Sequence, residues 1–432
     1  MRILIASLAA EGHFNPLTGV AVHLRNTGHD VRWYTGRDYA GRLDELGIPH
    51  LPFMRARELT GDRLAELFPE RARLKGPALI RFDFEKVFVS NTEAYFEDLR
   101  EIDCTFPFDV LLADAAFLAA RLVREKLGKH VCGFGAVPIL ATSPDVPPNF
   151  TGLRPAKTAL GRLAHRAMGA AMDRMVLANG RSRYNQVLLK HGLKPITGSV
   201  FDEFYGCQNV LFQNGVPGLE FRRRAMPPNL RHVGLLRPHR RQAAHMPPEL
   251  ATAGDRRIIL VSQGTVDNHD PEKLIVPTIE ALAPTGTLVL AATGGKNMAA
   301  LRRRFPRENV LINDYIDFES AFDRVDAFVC NGGYGSILLS LSKAVPVVGA
   351  GVREGKNDIN AHIEYAGVGV NLRSERPSTK AIARAVDRVL TEPSFGVRTA
   401  KIRDELASYR PLEIIDNYLE SLVRDGPAFV TS

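Results

Sequence analysis

The sequence is short of the residues that mark several common protein classes. Among its 432 residues are only four cysteines, Cys104, Cys132, Cys207 and Cys330. They lie far apart and form no CxxC or Cys/His spacing. This argues against a disulfide scaffold or a zinc motif, and the four read as reduced core thiols in a cytosolic protein. No apolar run is long enough to span a bilayer. The start, MRILIASLAAEGH, has one basic residue and a short apolar run before Glu11 and His13, so it reads as a buried strand rather than a signal peptide. There is no tandem short repeat, no low-complexity tract, and no Asp-x-Asp pair after a strand where it would hold a metal.

Charge of one sign is in excess: the net charge is +8. Such an excess suits an anionic ligand, a membrane surface or nucleic acid. The basic clusters FRRRAM (221–226), HRRQ (239–242) and LRRRF (301–305) sit in linkers or beside predicted helices. None is interleaved with aromatics in the manner of single-strand binders. They read as solvated faces, with attraction of an anionic substrate as the functional alternative, and no nucleic-acid partner is expected.

The rest of the composition is that of a globular chain, 45% hydrophobic and 24% charged, long enough for two or three domains. Arg2–Ser7 reads as a strand, Leu8–Pro16 as a loop, Leu17–Asn26 as a helix stopping at Gly28, and Val31–Tyr34 as a strand. A short helix around Tyr39–Leu46 and the run IPHLPF follow. DVLLA (109–113), ending at Asp114, and KHVCGFG (129–135) are further strands. Residues 140–200 are first proline-rich, then helical and basic. A second alternating series starts at Arg257: RIILVS, a helix from Pro271 to Leu282, TLVLAAT, a helix over Met298–Phe305, NVLIND, AFVC, a helix over 336–343, and VPVVGA. A final helix covers Leu412–Val423. Strand–helix alternation with short connections predicts parallel sheets with right-handed crossovers. Two Rossmann-like halves joined by a linker place a ligand cleft between them.

The stretch AFVCNGGYGSILLSLSKAVPVV (327–348) leaves a strand and spends Gly332, Gly333 and Gly335 before an apolar helix. Glycines there let a ligand approach the backbone amides, and the helix N-terminus offers free N–H groups and a positive dipole end. Ser336 is placed to cap that helix or to donate to a phosphate oxygen. A plain capped turn is the simpler alternative for this segment alone. Two neighbouring loops, LVSQGT (260–265) and REGKNDINA (353–361), also follow predicted strands and would share the same sheet edge.

Here the sequence resembles the family 1 glycosyltransferases of the GT-B fold, which glycosylate small lipophilic acceptors from nucleotide sugars. The resemblance lies in EGHFNP (11–16), VSQGT (261–265), NGGYGSILLSLSKAVPVV (331–348) and NA...GVGVNL (360–372), and it covers almost the whole chain. It implies an acceptor-binding domain over 1–225, a linker over 226–250, a nucleotide-sugar domain over 251–411, and a C-terminal helix and tail over 412–432, the helix returning to the first domain. It implies His13 as general base and Asp114 as its partner. Imidazole is suited to deprotonating an alcohol, and a carboxylate on the other ring nitrogen fixes its tautomer. Taken alone, His13 is as well read as a loop or capping histidine and Asp114 as a turn aspartate.

The resemblance further implies a donor diphosphate held at Ser262, Gly264, Thr265, Asn331, Gly332, Gly333, Gly335 and Ser336, and a base stacked on Tyr315. It implies a single inverting displacement with no metal and no cofactor beyond the UDP- or dTDP-sugar. Two departures stand out: Asn331 replaces the usual histidine, and Lys356–Asn357 replace the acidic residue and glutamine that grip sugar hydroxyls. Glu354, Asn357 and Asp358 are the candidates to take over, with a 6-deoxy donor such as dTDP-rhamnose implied. Phe14, Phe84, Phe88, Phe117 and Phe134 are candidate acceptor walls, Phe84 and Phe88 sharing a face if their segment is helical. The expected partners are a small aglycone such as a flavonoid and a nucleotide sugar; the protein is expected to be cytoplasmic, a monomer or homodimer, with at most peripheral membrane contact. The rival readings are a membrane-surface enzyme with a lipid acceptor, a nucleotide-sugar epimerase, a non-catalytic binder, and a dehydrogenase suggested weakly by GAGVREG (349–355).

Overall fold

The apolar runs pair into two parallel sheets in a computed structural model, which describes residues 1–59, 61–239, 250, 254–264 and 268–425. The first sheet contains β1 (Arg2–Ala6), β2 (Asp30–Thr35), β3 (His50–Pro52), β4 (Val110–Asp114), β5 (His130–Gly135), β6 (Val210–Asn214) and β7 (Leu230–Gly234), in the order β3-β2-β1-β4-β5-β6-β7. The second contains β8 (Ile258–Ser262), β9 (Leu288–Ala292), β10 (Val310–Asn313), β11 (Ala327–Cys330), β12 (Val347–Gly349) and β13 (Gly369–Asn371), in the order β10-β9-β8-β11-β12-β13. Every residue of β4, β6, β8, β9 and β11 is buried, because helices cover both faces of each sheet. Alternate residues feed opposite layers. Leu260, Leu290, Phe328 and Val347 join one core, whereas Val261, Val289, Val329 and Val348 join the other.

The winding of the two sheets is the same. β1 lies between β2 and β4, and β8 lies between β9 and β11. The chain therefore reverses direction beside β1 and again beside β8, and each reversal opens a crevice beyond the carboxyl ends of the strands. The segments leaving β1, β4, β8 and β11 border those crevices.

Two boundaries differ from expectation. β7 extends the first sheet to Gly234, so residues 230–234 of the expected linker are sheet. The segment LRHVG hid this because, as the sheet's edge strand, it is only partly buried and carries polar residues. The expected linker residues 240–249 lie outside the described residues. The first helix spans Glu11–Asn26 with Pro16 inside it, so the expected loop ends earlier and His13 is helical. Proline lacks the N–H that would reach the carbonyl of Gly12 but does not end the helix. Cys104 is exposed on the Thr92–Thr105 helix, whereas the other three thiols are buried as expected.

The last helix, Pro411–Asp425, packs on the first domain. Ile415 and Leu419 enter that domain's core, Asp416 pairs with His23 Nε2 at 2.6 Å, and Tyr418 Oη meets His130 Nε2 at 2.8 Å. The chain thus crosses between domains twice.

Candidate active site

His13 is the third residue of the Glu11–Asn26 helix, and Asp114 is the last residue of β4. β1 and β4 are neighbours, with Ala6 opposite Ala113, so the two segments emerge side by side. His13 Nδ1 is hydrogen-bonded to Asp114 Oδ2, and the other oxygen of Asp114 accepts from the backbone N–H of Ala116 at 2.8 Å. Asp114 is buried, while the His13 side chain remains 23% exposed. With Nδ1–H turned to the carboxylate, Nε2 is the nitrogen left to act as a base. Burial pulls the imidazolium down, but the charge of Asp114 and its hydrogen bond outweigh it, and the His13 pKa lies above its ordinary 6.5.

A hollow of about 90 Å³ opens beside His13, walled by Phe53, Leu59, Val87, Phe88 and Tyr95. Of the five phenylalanines expected there, Phe88 alone is in this lining. Phe14 is fully buried and stacks on Trp33 at 4.4 Å. Phe84 packs against Gly180 and Phe201, Phe117 against Tyr95 at 4.6 Å, and Phe134 against Phe212 at 5.6 Å. These four belong to the core, where large rings bury the most apolar area, and nothing in the local sequence separates a wall from a core ring. Phe53, Leu59, Val87 and Tyr95 were missed for the same reason. Phe88 comes from a π-helical turn, Phe84–Val89, that continues the Gly76–Asp83 helix. A larger cavity, about 520 Å³, lies where the two crossings run together at Leu235–Arg237 and Tyr409–Leu412, and its lining includes neither His13 nor the glycine turn.

The second crevice is built from the ends of β8 and β11. Gly332 takes φ +99°, a left-handed conformation, and a Cβ there would meet the side chains of Asn360 and Lys356. Gly333 is the N-cap of the Tyr334–Leu341 helix and has no side-chain cap. Ser336 therefore does not take the first of its two expected roles, the cap, and stands with the exposed Gly335 in the first turn. The first amides of this helix, at its positive end, therefore receive no side-chain cap. Asn331 Nδ2 donates to the carbonyl of Gln263, tying this turn to the loop after β8. In that loop, Gly264 N–H donates to Ser262 Oγ at 3.1 Å. Thr265 lies outside the described residues. Tyr315, in the loop after β10, is 56% exposed, with its hydroxyl 3.5 Å from the carbonyl of Gly294.

After β12 come a loop to Gly355 and a helix, Lys356–Ala366. Asn357 Nδ2 donates to the carbonyl of Phe150 at 2.7 Å, and Asp358 accepts from the backbone N–H groups of Phe150 and Gly152. These side chains, the expected sugar contacts, hydrogen-bond the Phe150–Gly152 segment of the first domain. Glu354 sits at φ +56° and pairs with Lys356 at 3.1 Å, with Arg71 of the first domain 3.9 Å away. Burial alone would raise its carboxyl; Lys356, then Arg71, hold it below the ordinary range. Asn360 Nδ2 donates to the carbonyls of Ala350 and Gly351, 3.1 Å from each, which makes it a latch beneath the loop.

Two parallel α/β domains, one carrying a buried-carboxylate histidine and the other a glycine turn at a helix N-terminus, define a GT-B glycosyltransferase. The comparisons agree. Residues 89–418 match the family described as UDP-glucoronosyl and UDP-glucosyl transferase. The 4'-demethylrebeccamycin synthase of Lentzea aerocolonigenes is 33% identical over 429 residues, 98% of this chain and 99% of that one. UDP-glucosyltransferase A1 of Starmerella bombicola is 27% identical, over 97% of this chain and 92% of its own. Among solved structures, the calicheamicin glycosyltransferase superposes with a TM-score of 0.75 at 20% identity, covering 99% of both chains. A spinosyn rhamnosyltransferase solved with thymidine diphosphate gives 0.71 at 15% identity, over 97% of this chain and all of that one. The chain belongs to the UDP-glucoronosyl and UDP-glucosyl transferase family, and it is a glycosyltransferase.

Proposed function

We propose that this enzyme transfers a sugar from a UDP- or dTDP-sugar to a hydroxyl of a lipophilic small molecule such as a flavonoid or another polyphenol. The observation that carries the reading is His13, held by Asp114 beside an apolar hollow. His13 Nε2 takes the acceptor's proton as its oxygen attacks the anomeric carbon. The bond from that carbon to the diphosphate oxygen breaks, and the electron pair leaves with the nucleoside diphosphate. One in-line displacement inverts the anomeric configuration. Asp114 stabilises the imidazolium that forms. Amides at Gly332, Gly333 and the helix start, with the hydroxyls of Ser262 and Ser336, meet the departing charge. No metal ion and no cofactor beyond the donor enter this scheme. Tyr315, exposed past β10, suits stacking on the donor base.

The relatives' names support a natural-product acceptor, since they include a demethylrebeccamycin synthase and calicheamicin and spinosyn enzymes. Because one is named a rhamnosyltransferase and Lys356 replaces an acidic residue, dTDP-rhamnose belongs beside UDP-glucose among the donors to try. The test is incubation with a panel of UDP- and dTDP-sugars and flavonoids, followed by mass spectrometry and by NMR of the anomeric proton. A glycoside of inverted configuration is expected. Donor hydrolysis without glycoside, or retention of configuration, would overturn the reading.

A further inference from the structure

The helix Ala159–Ala171 is built as if to face a core, yet none of its residues is buried. Leu160, Leu163, Ala164, Ala167, Met168 and Ala171 recur at i, i+3, i+4, i+7, i+8 and i+11, which is one continuous apolar stripe on a helix. In the folded chain Leu160 is 77% exposed, Leu163 60% and Met168 41%, and Met175 in the following turn is exposed as well. A helix of this length is marginal in water without tertiary packing. An outward stripe of this kind marks a surface that meets something apolar.

Charge names the partner. From Lys157 to Arg174 the chain carries Lys157, Arg162, Arg166 and Arg174 against a single carboxylate, Asp173. Lys157, Arg166 and Arg174 are exposed, and Asp173 is occupied by Ser199 Oγ at 3.3 Å. A helix with a leucine and methionine face and arginines beside it suits the boundary between lipid headgroups and acyl chains, with anionic lipids favoured. Among the described residues no helix is long and apolar enough to cross a membrane, so contact through this segment would be interfacial. The helix leads back into the domain that holds His13: the turn Met172–Val176 that continues it is fastened to the Gly76–Asp83 helix, where Arg81 donates to the carbonyl of Met175 at 2.6 Å. That helix runs on into the turn bearing Phe88, a wall of the hollow beside His13.

We infer that Ala159–Ala171 is a membrane-docking helix that seats the enzyme on an anionic lipid surface. The test is co-sedimentation of the full chain with vesicles of equal phosphatidylglycerol and phosphatidylcholine, compared with pure phosphatidylcholine. Binding to the anionic vesicles is expected at low salt, with release in about 0.5 M salt as the charges are screened. Pure phosphatidylcholine should bind roughly tenfold more weakly or less. The triple variant Leu160→Ser, Leu163→Ser, Met168→Ser should melt like the native chain, since these side chains are exposed, and lose roughly tenfold or more in vesicle affinity. Arg162→Gln with Arg166→Gln should weaken only the anionic component. Absence of binding to anionic vesicles overturns the inference, and so does undiminished binding by the triple variant. A native dimer that the triple variant dissolves, with no lipid affinity in either, would assign the stripe to a second copy of the chain instead.

Discussion

His13 Nδ1 reaches Asp114 Oδ2 across the carboxyl ends of the adjacent strands β1 and β4, although the two residues are 101 positions apart in sequence. The helix start aims the imidazole, and the buried strand end anchors the carboxylate, so the ring is held by two rigid elements rather than by a loop. On the second domain the equivalent reversal point carries the glycine turn. The same winding, used twice, puts the histidine–aspartate pair at the reversal point of one sheet and the glycine turn at that of the other.

If His13 is the base, His13→Ala should lower kcat by roughly 10²–10⁴-fold while leaving nucleoside diphosphate affinity nearly unchanged. Asp114 raises the His13 pKa, so kcat/KM in the native enzyme should fall as pH drops through a value above 6.5. In Asp114→Asn the favourable charge is gone and burial remains, so the acid limb should move to lower pH while the plateau rate also falls. A pH–rate profile with an unmoved acid limb, or equal loss of binding and turnover in His13→Ala, would make the histidine structural.

Phe88 and Phe14 separate wall from core. Phe14→Ala removes a fully buried ring stacked on Trp33 and should cost about 3–5 kcal/mol of stability. Phe88→Ala should leave the thermal midpoint near native and raise KM for the acceptor several-fold. Thermal unfolding and acceptor titration on both variants check this, and a Phe88 variant that melts early with native KM would refute its place as an acceptor wall.

Asp358 tests the interdomain grip. Asp358→Ala leaves the N–H groups of Phe150 and Gly152 without their acceptor, a loss of about 1–3 kcal/mol. Expected are a lower unfolding midpoint, a larger radius of gyration by X-ray scattering, and an unchanged ranking of donor sugars. A changed sugar ranking with native stability would return Asp358 to the donor pocket.

Much of this was legible in the chain. The apolar runs of β1, β4, β8, β9 and β11 announced themselves because strands buried on both faces need continuous hydrophobic residues. β7 did not, because an edge strand tolerates LRHVG. His13, Asp114 and the glycines stood out because a histidine and an aspartate at the ends of neighbouring strands, and a glycine-rich turn before a helix, are restricted patterns. The lining of the hollow beside His13 was not, because Phe14 and Phe88 differ only in where the fold turns them.

By itself, then, the sequence determined the two alternating series, the glycine turn and the chemical identity of the dyad, since each depends on local periodicity or on what one side chain can do. Tertiary structure decided which distant segments meet. It set Asn357 and Asp358 on the Phe150–Gly152 loop, returned the last helix to β5 through Tyr418 and His130, and turned the apolar stripe of Ala159–Ala171 to the outside. Those outcomes depend on long-range packing, which fixes the direction a side chain faces only after both sheets have formed.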